Sequence, residues 1–574
     1  MPTLLRLITT TLLFSALLSF NACSKKSDQA SSAKDLQRQQ LSSDPLLNKL
    51  PNTTAAFAVL DFGGEGFKLF SKSPYSSLTD AKKSLDKAIE AGRGDEIAAD
   101  KAALLKVIYD ALVKLGMISA EGKYTLDKTI SRMALFIGPA ETPGTLPIDA
   151  GLHIRGAQGV DLSENLKKLR DELVQSKTEI KEEELGKGVL AFSTPFKALN
   201  DGKTQIYFAA NKTHLALALS KQAVSALFSE SDTTTFANIK TQDEYKQATS
   251  ALKDTPNPLA FTYTSLARLR PLLEPLTKLD KTGGFNPADL PITALATLSS
   301  YPKQYIHDLG FAFSPRTESQ KKVASLLEKS ELPAQSKLYP VDTAVAIMLN
   351  TELISKLEGV DAALSQNNDP ELTQELNNVK SFTLGVRNKT AGSPLPDIFA
   401  LLNSADRAKT ITYLESSLSS ALSLAGQNPT WQKKEIDGTQ VNFFTTLLGI
   451  GAYIGAPNDS KTVTLGTSES IVKDLLASQS MKTKPANDVV SEPLGAQIKG
   501  ANVAAFYFNF AKLADVLTSV KDTVGALTGG NAEIDALLNS ANIRSWGFAA
   551  AGISYQPGVL SVRSGFDPAI EARP

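Results

Sequence analysis

The chain of 574 residues has one cysteine, three histidines, two tryptophans and no surplus of charge, with 60 basic against 60 acidic side chains. A single cysteine forms no intramolecular disulfide and builds no thiolate cage for a metal. His153, His214 and His307 lie far apart and form no H-x-x-x-H, so little imidazole is available for metal or acid–base chemistry. A zero balance supplies no long-range pull toward nucleic acid or an anionic bilayer. Basic patches with interleaved aromatics are missing too, so no nucleic-acid partner is expected. The pairs Gly63-Gly64, Gly283-Gly284 and Gly529-Gly530 fit no phosphate-binding pattern and read as turns. This reading assigns no catalytic residues, metal ligands or cofactors, and it leaves ligand-binding residues unassigned. The protein is expected not to be an enzyme.

What is present is a soluble-globular composition, 42% apolar, on a length that allows several domains or two large ones. The N-terminus carries Arg6 ahead of an apolar run from Leu7 to Phe20. That run is shorter than the ~20 residues a membrane-spanning helix needs, and it suits a signal peptide. It ends in Ser19-Phe20-Asn21-Ala22-Cys23. This stretch resembles the lipobox of Gram-negative bacterial lipoproteins, with Phe20 where Leu is usual. The resemblance implies cleavage before Cys23, a diacylglycerol on its thiol and a further acyl chain such as palmitate on the new amine. Ser24, where such proteins carry Asp if they stay at the inner membrane, implies the periplasmic face of the outer membrane. The inner membrane and the cell surface are the alternatives.

Residues 23–48 are polar and poor in large apolar side chains before Leu46. They read as a flexible tether between the lipid and the folded body. The body reads as a duplication. Residues 50–60 align with 339–349, 131–152 with 380–401, 215–228 with 463–476, 258–273 with 502–517, and 306–312 with 543–549. Five matches in one order divide the chain into a signal peptide (1–22), the tether (23–48), a first lobe (49–332) and a second lobe (338–570), with a Pro-containing linker near Glu331–Gln335. An extra helical segment over about 77–118 distinguishes the first lobe, where Leu104, Leu105, Ile108, Leu112 and Leu115 recur at helical spacing. Strands joined mostly by short turns imply an α+β fold. Each lobe is then an antiparallel sheet with helices packed on one face, plus an αα-hairpin in the first.

One catalytic pattern fails on context. Ser84-Leu85-Asp86-Lys87, Ser163-Glu164-Asn165 and Lys281-Thr282-Gly283 follow the order of motifs in the penicillin-binding and β-lactamase group. The third runs into Gly284-Phe285-Asn286-Pro287, which is loop chemistry, and the duplication ignores all three. The apolar stretch 443–454 reads as buried strands, with a lipid-cavity wall as the alternative. The functional expectation is a lipid-anchored periplasmic protein that binds or scaffolds a partner. It is held at the membrane through Cys23, and a periplasmic protein is its possible partner. A carrier of hydrophobic cargo and a hydrolase with its site between the lobes are the alternatives. As a whole the chain resembles uncharacterised lipoproteins built from tandem α+β domains.

Overall fold

A computed structural model of the chain describes residues 41–72, 126–140, 148–195, 204–252, 257–270, 291–301, 305–330, 332, 340, 342–351, 378–388, 395–424, 426–446, 451–457, 460–479, 501–528 and 547–567. Cys23, Ser24, the signal peptide, most of the tether and the helical insertion at about 77–118 lie outside these residues. The chain divides into two compact units, Met1–Ser314 and Pro315–Pro574.

Among the described residues the first unit holds ten strands: β1 Ala56–Asp61, β2 Ile130–Pro139, β3 Ile148–Gly156, β4 Lys181–Glu182, β5 Leu190–Pro195, β6 Gln205–Ala210, β7 His214–Ala218, β8 Pro258–Ser265, β9 Ile292–Ser300 and β10 Tyr305–Phe313. Every pairing is antiparallel, in the order β4-β5-β6-β7-β3-β2-β1-β8-β9-β10. Its helices include α1 Leu162–Gln175, α2 Lys221–Phe228, α3 Thr235–Thr241 and α4 Asp243–Ser250.

The second unit begins with helix α5, Glu318–Glu328, which packs on its later strands. Its strands among the described residues are β11 Thr343–Asn350, β12 Val379–Arg387, β13 Asp397–Ser404, β14 Gln432–Ile436, β15 Thr439–Thr445, β16 Gly451–Gly455, β17 Thr462–Gly466, β18 Ala504–Asn509, β19 Phe548–Gln556 and β20 Val559–Asp567. They pair antiparallel in the order β14-β15-β16-β17-β13-β12-β11-β18-β19-β20. Helices α6 Arg407–Leu424, α7 Glu469–Gln479 and α8 Phe510–Thr528 complete it. The architecture is α+β and antiparallel, and the two strand orders are the same.

Two alignments change. In β3 the match to β13 runs one residue off that of 131–152 to 380–401, because Ile137 faces Ala150 where Val386 faces Ile398. Strand β10 occupies the position of β20, so Gly310, opposite Ala296, matches Gly565, opposite Ala550. Residues 306–312 are therefore matched by the strand after 543–549. Strands β4, β9 and β14 are not expected from sequence; in β9 the small residues Thr293, Ala294, Ala296 and Thr297 give little hydrophobic alternation.

In the first unit helices cover both faces of the sheet, not one. In the first unit Phe57, Val59, Ala134 and Phe136 meet Val224, Leu227, Phe236, Ile239 and Tyr245 of α2, α3 and α4. The intervening positions Leu60, Met133 and Leu152 face Leu162, Leu166 and Leu169 of α1 instead. Successive side chains along a strand point to opposite faces, so apolar residues at adjacent positions need cover on both sides.

The tether ends earlier than expected. Residues 41–50 form two 3-10 turns whose Leu41, Leu46, Leu47 and Leu50 are buried in the first unit's core. Asp44 caps the second turn by accepting the Leu46 N–H, and its carboxylate lies 2.6 Å from Arg132 Nη1. Arg132 also meets Asp61 at 3.1 Å. Burial raises the Asp61 pKa, and Arg132 and the Gly64 N–H act against it. Further along, Thr233 donates to the carbonyls of Asn48 and Leu50, each at 2.8 Å. Four leucines in this strap outweigh its polar composition.

A cap recurs at the strand-to-helix step of each unit. Ser265 Oγ accepts the Arg268 N–H, and Asn509 Oδ1 accepts the Lys512 N–H. Two residues before each cap stands a buried tyrosine, Tyr263 or Tyr507. Burial pushes the first hydroxyl up to about 12 and the second higher still.

Candidate functional site

Strands β12 and β13 carry their polarity the unusual way round. Ser381, Thr383 and Arg387 of β12 and Asp397 of β13 are buried. The alternate positions Phe382, Leu384, Val386, Ile398, Ala400 and Leu402 fall on the other face and carry no charge. Leu384 and Ile398 are each 45% exposed, and Leu395, just before β13, is 39% exposed. The register places Val386 opposite Ile398 and Leu384 opposite Ala400, so Leu384 and Ile398 are diagonal neighbours. An exposed apolar cluster on one face is informative in a way that scattered single leucines are not.

The platform is held from beneath. Arg387 Nε meets Asp397 Oδ2 at 3.0 Å across the hairpin, and Nη2 donates to Ser470 Oγ of α7 at 2.9 Å. Its Nη1 contacts Asp474 of the same helix and lies 3.6 Å from Asp342. Ile398 is fixed through its backbone. Its N–H donates to Thr467 Oγ1 at 2.9 Å, and its carbonyl accepts the Thr467 N–H at 3.0 Å. Ser468, next in sequence, accepts the Ile471 N–H at the start of α7. A buried guanidinium is retained only with well-placed partners, and here the partners join hairpin to helix.

Among the described residues the first unit shows no such platform. Its equivalents of Leu384, Val386 and Ile398 are Leu135, Ile137 and Ala150, all half-buried. In place of Arg387 stands Gly138, where an added Cβ would lie 2.0 Å from the Thr53 carbonyl oxygen. The segment between the strap and β1 runs too close there for any side chain.

The other constellations do different work. Ser299 Oγ lies 2.8 Å from His307 Nδ1 on paired strands, and the Tyr305 hydroxyl donates to Ser299 at 3.3 Å. Burial lowers His307 to about 4, so it is neutral near pH 7. Asp308 follows it in the strand and therefore points to the opposite face, where it cannot orient that imidazole. His153 is fully buried; its Nε2 donates to the Ala223 carbonyl at 2.9 Å, and burial lowers it to about 4. His214 is half-buried beside Thr213, and desolvation lowers it as well. The three histidines do not meet, and among the described residues no group of three His, Cys, Asp or Glu could hold a metal ion.

Of the serines weighed from sequence, Ser163 sits in the first turn of α1 and donates to Asp161, which caps that helix. Ser84 and Lys281 lie outside the described residues. In the apolar stretch 443–454, Phe444, Ala452 and Ile454 are buried, with Trp431 edge-on to Phe444 at 4.8 Å. On the other side Phe443 stacks on Tyr453 at 5.5 Å, and Lys434 lies over both rings. Both sides of the described part are occupied by side chains.

Sequence reasoning missed the platform. The available signal was the alternation Ser381-Phe382-Thr383-Leu384-Gly385-Val386-Arg387, apolar at the even positions and polar or glycine at the odd ones, with the charged Lys380 just before it at the even parity. Period alone does not say which parity faces the core. Comparison with protein-family models, with curated proteins and with solved structures returns no match.

Proposed function

We propose that the chain is a lipid-anchored periplasmic lipoprotein of the outer membrane with a non-catalytic binding role. The observation that carries the binding part is the exposed apolar pair Leu384 and Ile398, built over the Arg387 cluster. A face fixed by buried ion pairs loses little freedom on binding. The anchor rests on sequence: the only cysteine stands where the lipobox resemblance needs it. Its body is read as two copies of one domain. The shared strand order, the paired caps at Ser265 and Asn509 and the buried Tyr263 and Tyr507 support that origin.

The test is metabolic labelling with an alkyne palmitate, followed by membrane fractionation. The chain is expected to take up label and to co-fractionate with the outer membrane, and Cys23→Ala to lose both. Label retained by Cys23→Ala would end the anchor reading. Photo-crosslinkers at Leu384 and Ile398 in intact cells test the binding face. No adduct above that from an exposed helix position such as Val174 would count against it.

A further inference from the structure

We draw no further inference here: the strongest candidate, the patch of two half-exposed side chains, Leu384 and Ile398, on the outer face of the β12–β13 hairpin, carries nothing more, because nothing in the structure shows what covers it.

Discussion

Phe136 faces Gly151 across β2 and β3, and at the same place in the second unit Gly385 faces Phe399. In each pair one aromatic ring lies over a glycine on the neighbouring strand. A Cβ on Gly151 would lie 2.8 Å from Phe136 Cζ, and one on Gly385 would lie 2.0 Å from Phe399 Cζ. Gly385→Ala should therefore overpack the site and cost about 1–3 kcal/mol, and Phe399→Gly should cost about 3–5 kcal/mol through its cavity. The exchanged double variant Gly385→Phe, Phe399→Gly is expected to be more stable than the sum of the singles predicts. Urea unfolding of the four proteins gives that coupling. Strict additivity would mean that the two positions do not share one volume.

Arg387 holds Asp397, which is 1% exposed, in a hydrogen-bonded ion pair. Arg387→Met leaves that carboxylate buried without its partner, and should cost about 3–5 kcal/mol. Arg387→Lys should keep the charge but lose the fork that reaches Asp397, Ser470 and Asp474 together, and fall between the two. Chemical denaturation measures both. A loss under about 1 kcal/mol for the methionine variant would show that the cluster does not lock the hairpin.

Acid should destabilise the fold through His153 and His307. Both are lowered to about 4 by burial, while in the unfolded chain they titrate near 6.5. The unfolded state therefore binds more protons between those values. Stability is fully present above about pH 6.5 and falls as the pH drops toward 4. His153→Leu, which installs the residue found at the matching Leu401, should flatten part of that slope. Thermal melts from pH 7 to 4.5 supply the check. An unchanged slope would remove His153 from the account.

The strap predicts that trimming the chain as far as Leu50 is not neutral. Leu47 is 0% exposed, so Leu47→Ala should cost about 2–5 kcal/mol. Amides of residues 46–50 should exchange slowly with deuterium, near the rate of the β1 amides. Exchange at the rate of an unstructured peptide would return this segment to the tether.

The sequence made the strand-rich α+β class and the repeated order of elements legible, because alternation and turn residues recur at matching places. Strand β9 was illegible because alanine and threonine mark neither face. The strap was misread because composition averages over 25 residues, whereas Leu41, Leu46 and Leu47 act one at a time. The platform stayed hidden for a related reason. Alternation gives two faces, and only packing against α7, through Arg387, decides which one turns inward.

The strap also fixes where mechanical load enters the molecule. Tension applied upstream of Leu41 does not peel a free end from the edge of a sheet. It pulls on leucines wedged in the interior, on the Asp44–Arg132 pair and, through Asn48 and Leu50, on the turn at Thr233. Strand β1, which follows directly, is paired on both sides, by β2 and by β8. Load that reaches β1 therefore shears two sets of backbone hydrogen bonds together instead of unzipping one at a time.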